Sequence, residues 1–133
     1  MPSPSAPAAA PAPAASPAPA SILDQLVETV NGVDAAILAS VDGFGLARNR
    51  SMTDEASHPA MLAAAVGLAH QLVALGGGTQ LRQLVVDHDG GLLLVWPIGD
   101  QRVLAVLAAT SVDQRQVRSF VQAHAARLLG ATP

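Results

Sequence analysis

Residues 56–76 read ASHPAMLAAAVGLAHQLVALG, a stretch of helical length without one Asp, Glu, Lys or Arg. A helix that is apolar on every face cannot meet water on any side. Laid on a sheet by one face, it still needs a cover for the other, and the simplest cover is the same helix from a second copy. The stretch therefore predicts a central helix and a dimer built on it.

Working outward, Gly76-Gly77-Gly78 ends this helix. Pro59 is tolerated only in a first turn, so the start falls near Ser57 or His58. The polar stretch Asn49 to Asp54 reads as a loop, with Thr53 or Asp54 available as a helix cap. Before it, DAAILASVDGFGLAR reads as two strands, about Ala35–Ser40 and Phe44–Arg48, around Asp42-Gly43, a dipeptide that tolerates the positive φ of a tight hairpin. Earlier still, Ser21 and Asp24 have capping-box spacing, and Ile22, Leu23, Leu26, Val27 and Val30 follow at helical intervals until Gly32.

Beyond the glycines come three extended runs, Leu81–His88, Leu92–Ile98 and Arg102–Ala109, separated by DGG and GDQ turns. They predict a meander. Apolar residues stand on both faces of LLLVW and VLAVLAA, so the sheet needs helices on both sides. Leu81–His88 includes Arg82, Gln83 and Asp87, as an edge strand does, and Pro97 marks a strand end or a bulge. A last amphipathic helix starts near Ser111 or Asp113 and runs to Leu129, with Val117, Phe120, Val121, His124, Ala125, Leu128 and Leu129 on one arc. The order is helix, two strands, helix, three strands, helix.

The first twenty residues, MPSPSAPAAAPAPAASPAPA, hold seven of the ten prolines and nothing that anchors a core. They read as a flexible, disordered Pro/Ala-rich tail, residues 1–20, ahead of one domain, residues 21–130. The tail has no cationic n-region or apolar run, so it is not a secretory signal. With no cysteine, disulfide and thiol chemistry are excluded and a reducing compartment fits; the expected location is the cytoplasm. Ala60–Leu75 is too short and too rich in Ala for a membrane span, and His70 and Gln71 interrupt it. All seven cationic side chains are Arg, which with the Ala-rich composition points to a GC-rich bacterial genome. A net charge of −3 without a basic stripe argues against a nucleic-acid partner. Two Phe, one Trp and no Tyr make a thin core, with little room for a small-molecule pocket.

The central helix carries a mostly small line, Ala63, Gly67, His70 and Ala74. Beside it run Leu62, Val66, Ala69 and Val73, and then Met61, Ala65, Leu68, Leu72 and Leu75. Small side chains let a second backbone come close, so the small line is the expected dimer contact; the other arrangement puts it on the chain's own sheet and turns the large lines outward. The interface set is Leu62, Ala63, Val66, Gly67, His70, Val73 and Ala74, with Leu84 and Val86 on the edge strand, and Gly67→Glu is expected to disrupt it.

Asp87, His88 and Asp89 are adjacent, but neighbours in a strand face opposite ways and Asp89-Gly90 is a turn signal, so a hairpin end is the expected reading and no metal is called for. His58, His70 and His124 lack the spacing of a zinc site. No GxSxG, P-loop or GxGxxG is present, so neither catalysis nor a cofactor is expected. Phe44, at the hairpin, and Arg48 and Arg50, in and after the second strand, are the candidates for meeting a partner; an arginine there has the chemistry of a finger on a partner's nucleotide, and also that of an ordinary solvated loop residue.

LDQLVETVNGVDAAILASVDGFGLA, followed by GGGTQLRQLVVDHDGGLLLVWPIGDQRVLAVLA, resembles the roadblock/LC7 (dynein light chain) family, over about Ser21 to Leu129 and most closely its bacterial MglB-like type. That resemblance implies an α/β domain of profilin-like or longin-like kind, a five-stranded antiparallel sheet flanked by helices, that forms homodimers and acts with Ras-like GTPases. The function it implies is a homodimeric, non-catalytic regulator or scaffold of a small Ras-like GTPase. The other reading is a structural adaptor dimer joining non-GTPase partners.

Overall fold

Two apolar faces on one sheet require two helical layers, and the chain supplies them. The computed structural model describes residues 19–51 and 57–130. The elements are α1 (Pro19–Thr29), β1 (Val33–Ser40), β2 (Gly45–Arg48), α2 (Ser57–Leu75), β3 (Leu84–His88), β4 (Gly91–Ile98), β5 (Arg102–Ala108), α3 (Gln114–Ala123) and α4 (Ala125–Leu128). Most of the N-terminal tail, and the proposed caps Thr53 and Asp54, lie outside the described residues.

The strands form one five-stranded sheet in the order β2-β1-β5-β4-β3, every neighbouring pair antiparallel. β3, β4 and β5 are the expected meander, and β3 is an edge. One face buries Leu38, Leu94, Leu104 and Val106 under Ile22, Leu23 and Leu26 of α1 and Val117 and Val121 of α3. The other face sets Ile37, Val95, Val103 and Ala105 under Leu62 and Val66 of α2. The result is a three-layer α/β domain.

The strand expected over Leu81–His88 begins only at Leu84, and three further local readings differ from the sequence. α1 begins at Pro19, not at Ser21. Asp24 is therefore inside the helix, where its Oδ1 accepts from the Arg50 N–H at 2.6 Å instead of closing a capping box. Proline suits such a first turn because its missing N–H has no helical partner to lose. At the hairpin, the Gly43 N–H donates to the Ser40 carbonyl at 3.0 Å and Gly43 alone among the loop glycines there takes a positive φ, +96°. The Ser40 N–H then donates to the Phe44 carbonyl at 2.8 Å, with a register shift between Leu38 and Ala39, so the connection is longer than a two-residue turn.

The third difference is the last helix, which breaks at His124 (φ −112°, ψ 11°) into α3 and α4. The His124 ring stacks on Phe120 with centroids 4.1 Å apart, and its Nδ1–H donates to the Phe120 carbonyl oxygen at 2.9 Å. A side chain that competes for a helical carbonyl in this way bends the helix. The N-cap is Asp113, whose Oδ1 accepts from the Arg115 N–H at 3.0 Å. Arg102 of β5 donates to the Leu128 carbonyl at 3.0 Å, tying down the carbonyl end of α4.

Candidate partner-binding faces

α2 meets the sheet through Pro59, Leu62, Val66 and Ala69, which are buried. The rest of the helix has no charged residue with which to face water. Met61 is 59% exposed, Leu68 58%, Leu72 53% and Leu75 84%. By length and composition α2 is long and apolar enough to cross a membrane, yet its buried line lies against the chain's own sheet.

The two flanks of α2 look in different directions. A Cβ added at Gly45 would touch Pro59, and one at Gly43 would touch Ala60, so the flank continuing from Ala60 to Ala63 and Gly67 faces the β1–β2 hairpin. Around Gly67 itself nothing lies within 4 Å of an added Cβ. The opposite flank, Met61 and Ala65, overhangs an apolar groove of about 310 Å³ floored by Ile37, Leu93, Ala105 and Leu107. Leu93 pairs with Val86 of β3, which is 42% exposed at the edge of the sheet. An apolar strip therefore runs from the Met61–Leu68–Leu72 line, across Leu93, to the open edge.

This splits the interface set read from the sequence. Leu62 and Val66, at 7% and 3% exposure, are enclosed by the chain's own sheet and have almost no surface left for a partner, a correction to that reading. Gly67, His70 and Ala74 are exposed and Ala63 half-buried, off the buried line, while Val73 continues that line toward the helix end and is half-buried. Leu84 is half-buried against the α2-side core, beside exposed Val86. Neither arrangement read from the sequence holds whole: the Leu62–Val66 line, not the small line, lies on the sheet, and Met61, Leu68 and Leu72 of the second large line are exposed. Of these, Met61 is on the same side as the free edge.

A second exposed apolar group sits at the hairpin: Phe44 is 69% exposed, Leu46 42% and Val41 37%. The Phe44 N–H donates to Ser40 Oγ at 3.1 Å, so the residue is fixed by its backbone while its ring projects outward. Arg48 is exposed on β2, opposite Ile37. Arg50 is held to α1, its N–H on Asp24 Oδ1 and its guanidinium 3.6 Å from Asp24 Oδ2. Sequence reasoning missed Asn49, the buried polar residue between them, 2% exposed. Its Oδ1 accepts from the Ala36 N–H at 2.9 Å and its Nδ2 donates to Ser51 Oγ at 2.9 Å. Its own N–H donates to the Ala36 carbonyl at 3.1 Å, so Asn49 adds one rung beyond the end of β2 and sets where the arginines leave the sheet.

Asp87 and His88 end β3, and the His88 Nδ1 accepts from the Gly90 N–H at 3.0 Å, which makes this group part of a hairpin turn. Next to it, Gly91 takes φ +143°, and a Cβ there would collide with the Ala108 carbonyl oxygen. Among the described residues no three His, Cys, Asp or Glu stand close enough together to hold a metal.

Residues 20–108, more than half of the chain, match the Roadblock/LC7 domain, and the chain belongs to that family. Among solved structures, a roadblock/LC7 domain from Streptomyces avermitilis is similar, with 28% identity and a TM-score of 0.70 over 81% of this chain and 95% of that one. Myxococcus xanthus MglB is 18% identical with a TM-score of 0.70, over 81% of this chain and 88% of its own. Acanthamoeba castellanii profilin IB shares the fold more distantly, at 18% identity and a TM-score of 0.57, over 81% of this chain and 94% of its own. No curated protein sequence matches.

Proposed function

We propose that this chain is a homodimeric platform for a small Ras-like GTPase, acting in the bacterial cytoplasm as a regulator or scaffold and performing no chemistry itself. The observation that supports it best is the uncharged outer face of α2 beside the open β3 edge. Two copies related by a two-fold axis cover both at once, with Met61, Leu68 and Leu72 packing helix against helix and Val86 with Leu84 at a joined sheet edge. Ala63, Gly67, His70, Val73 and Ala74 then flank the helix pair instead of forming its centre.

In this reading Phe44, Arg48 and Arg50 form the surface that meets the GTPase. A regulator that contributes no catalytic group accelerates hydrolysis only by binding the competent arrangement of the switch loops more tightly than the relaxed one. A scaffold needs no such preference. Likeness to MglB and membership in the roadblock family support the GTPase assignment. The test is GTP turnover by the GTPase encoded nearest this chain's gene, with and without the protein. A changed rate supports a regulator and unchanged turnover with measurable binding supports a scaffold. Absence of binding to either nucleotide state contradicts both and leaves an adaptor for other proteins.

A further inference from the structure

The β3–β4 ladder begins only at Leu84, paired with Val95. Two residues further along β4 stands Pro97, which pairs with Val103 of β5 and has no N–H with which to continue the ladder toward β3. Leu81 to Gln83 therefore run outside the sheet. Between them and α3 lies a cavity of about 690 Å³, floored by Trp96, Ile98 and Val121. It opens beside α3, and Leu81, Pro97 and Gly99 in its wall also border Val66 and His70 of α2.

Two independent features of this cavity ask for the same ligand chemistry. The first is charge: among the described residues Arg82 and Arg118 line it and no Asp or Glu does, in a chain whose net charge is −3. The second is an orphaned donor. Arg118 Nη2 donates to Gln83 Oε1 at 3.3 Å, and because a guanidinium only donates, this fixes which way the amide points. Gln83 Nε2 is then the other arm, and it is buried without a partner. A buried donor left unpaired is costly, and what it lacks is an acceptor.

We propose that this groove binds a short extended segment of a partner protein that carries carboxylates and at least one apolar side chain. The carboxylates pair with Arg82 and Arg118, the Gln83 Nε2–H, once that side chain turns outward, donates to an acceptor of the segment, and the apolar side chain covers Leu129, 46% exposed at the rim. The chain's own first twenty residues do not fit, since they contain no Asp or Glu.

Trp96 is the chain's single tryptophan, so its fluorescence reports on this groove without a label. The full chain is titrated with a capped six-residue peptide alternating glutamate and leucine, then with the glutamine–leucine counterpart and with free glutamate. A saturable change is expected with the first peptide only. Arg82→Gln and Arg118→Gln, at exposed positions, should each weaken it by about three- to tenfold. Gln83→Leu should weaken it too while leaving the fold intact by circular dichroism. No saturable change, an equal response to the glutamine peptide or to free glutamate, or full affinity in the Arg118→Gln variant would each overturn the proposal.

Discussion

Asn49 shows how much one residue can do at the end of a short strand. Its side chain satisfies the N–H of Ala36, a residue with no exposed surface, at a point where β2 has already ended. Asn49→Ala leaves that N–H unpaired in the interior and should cost about 1–3 kcal/mol of stability, read from the urea midpoint. A variant whose midpoint matched the parent would show that water replaces the amide without cost. Nothing in Asn-Arg-Ser, the run around it, distinguishes Asn49 from an ordinary loop asparagine. Asp24 misled for a related reason. Its spacing from Ser21 satisfied the local rule for a cap, but the partner it finds, the Arg50 N–H, is distant in sequence, and single-residue polar bonds across such distances leave no periodic trace.

At the scale of elements, strands and helices were legible because apolar periodicity and glycine breaks repeat over many residues. The order from α1 to the last helix, the meander and the β3 edge follow from those patterns. The flank of α2 that faces the open edge was not legible, because a helix that is apolar all round has no sidedness in its sequence. Sidedness comes from the sheet beneath it: Leu62 and Val66 are drawn onto Val95, Val103 and Ala105, which sets Met61 over the groove beside Leu93 and leaves Leu68 on the outer, exposed face. Leu68→Glu is therefore expected to weaken self-association by at least about tenfold, by burying an unpaired carboxylate. Gly67→Glu, on the hairpin flank, should do less, and sedimentation velocity of the two variants separates them. Equal dissociation by both would restore the small-residue line as the contact. The 690 Å³ groove was illegible for a different reason: a thin core led to the expectation of no pocket, whereas this one opens at the sheet's margin, where Pro97 lets the chain diverge.

For the whole molecule, the roadblock domain contains its own sheet with helices on both faces, yet the outer face of α2 stays apolar and exposed. If a second copy covers that face, as proposed, its binding adds to the folding free energy according to how tightly the copies associate. The thermal midpoint should accordingly rise with protein concentration for the parent and become independent of it in Leu68→Glu. Removing residues 1–18, which precede α1, should leave that midpoint unchanged; a large fall would move the domain boundary into the Pro/Ala-rich segment. The central claim is that a second copy covers α2, and sedimentation equilibrium of the full chain at low micromolar concentration tests it most directly. The expected mass is twice the 13.4 kDa of one chain; a particle of 13.4 kDa at that concentration would mean that α2 is not covered by a second copy.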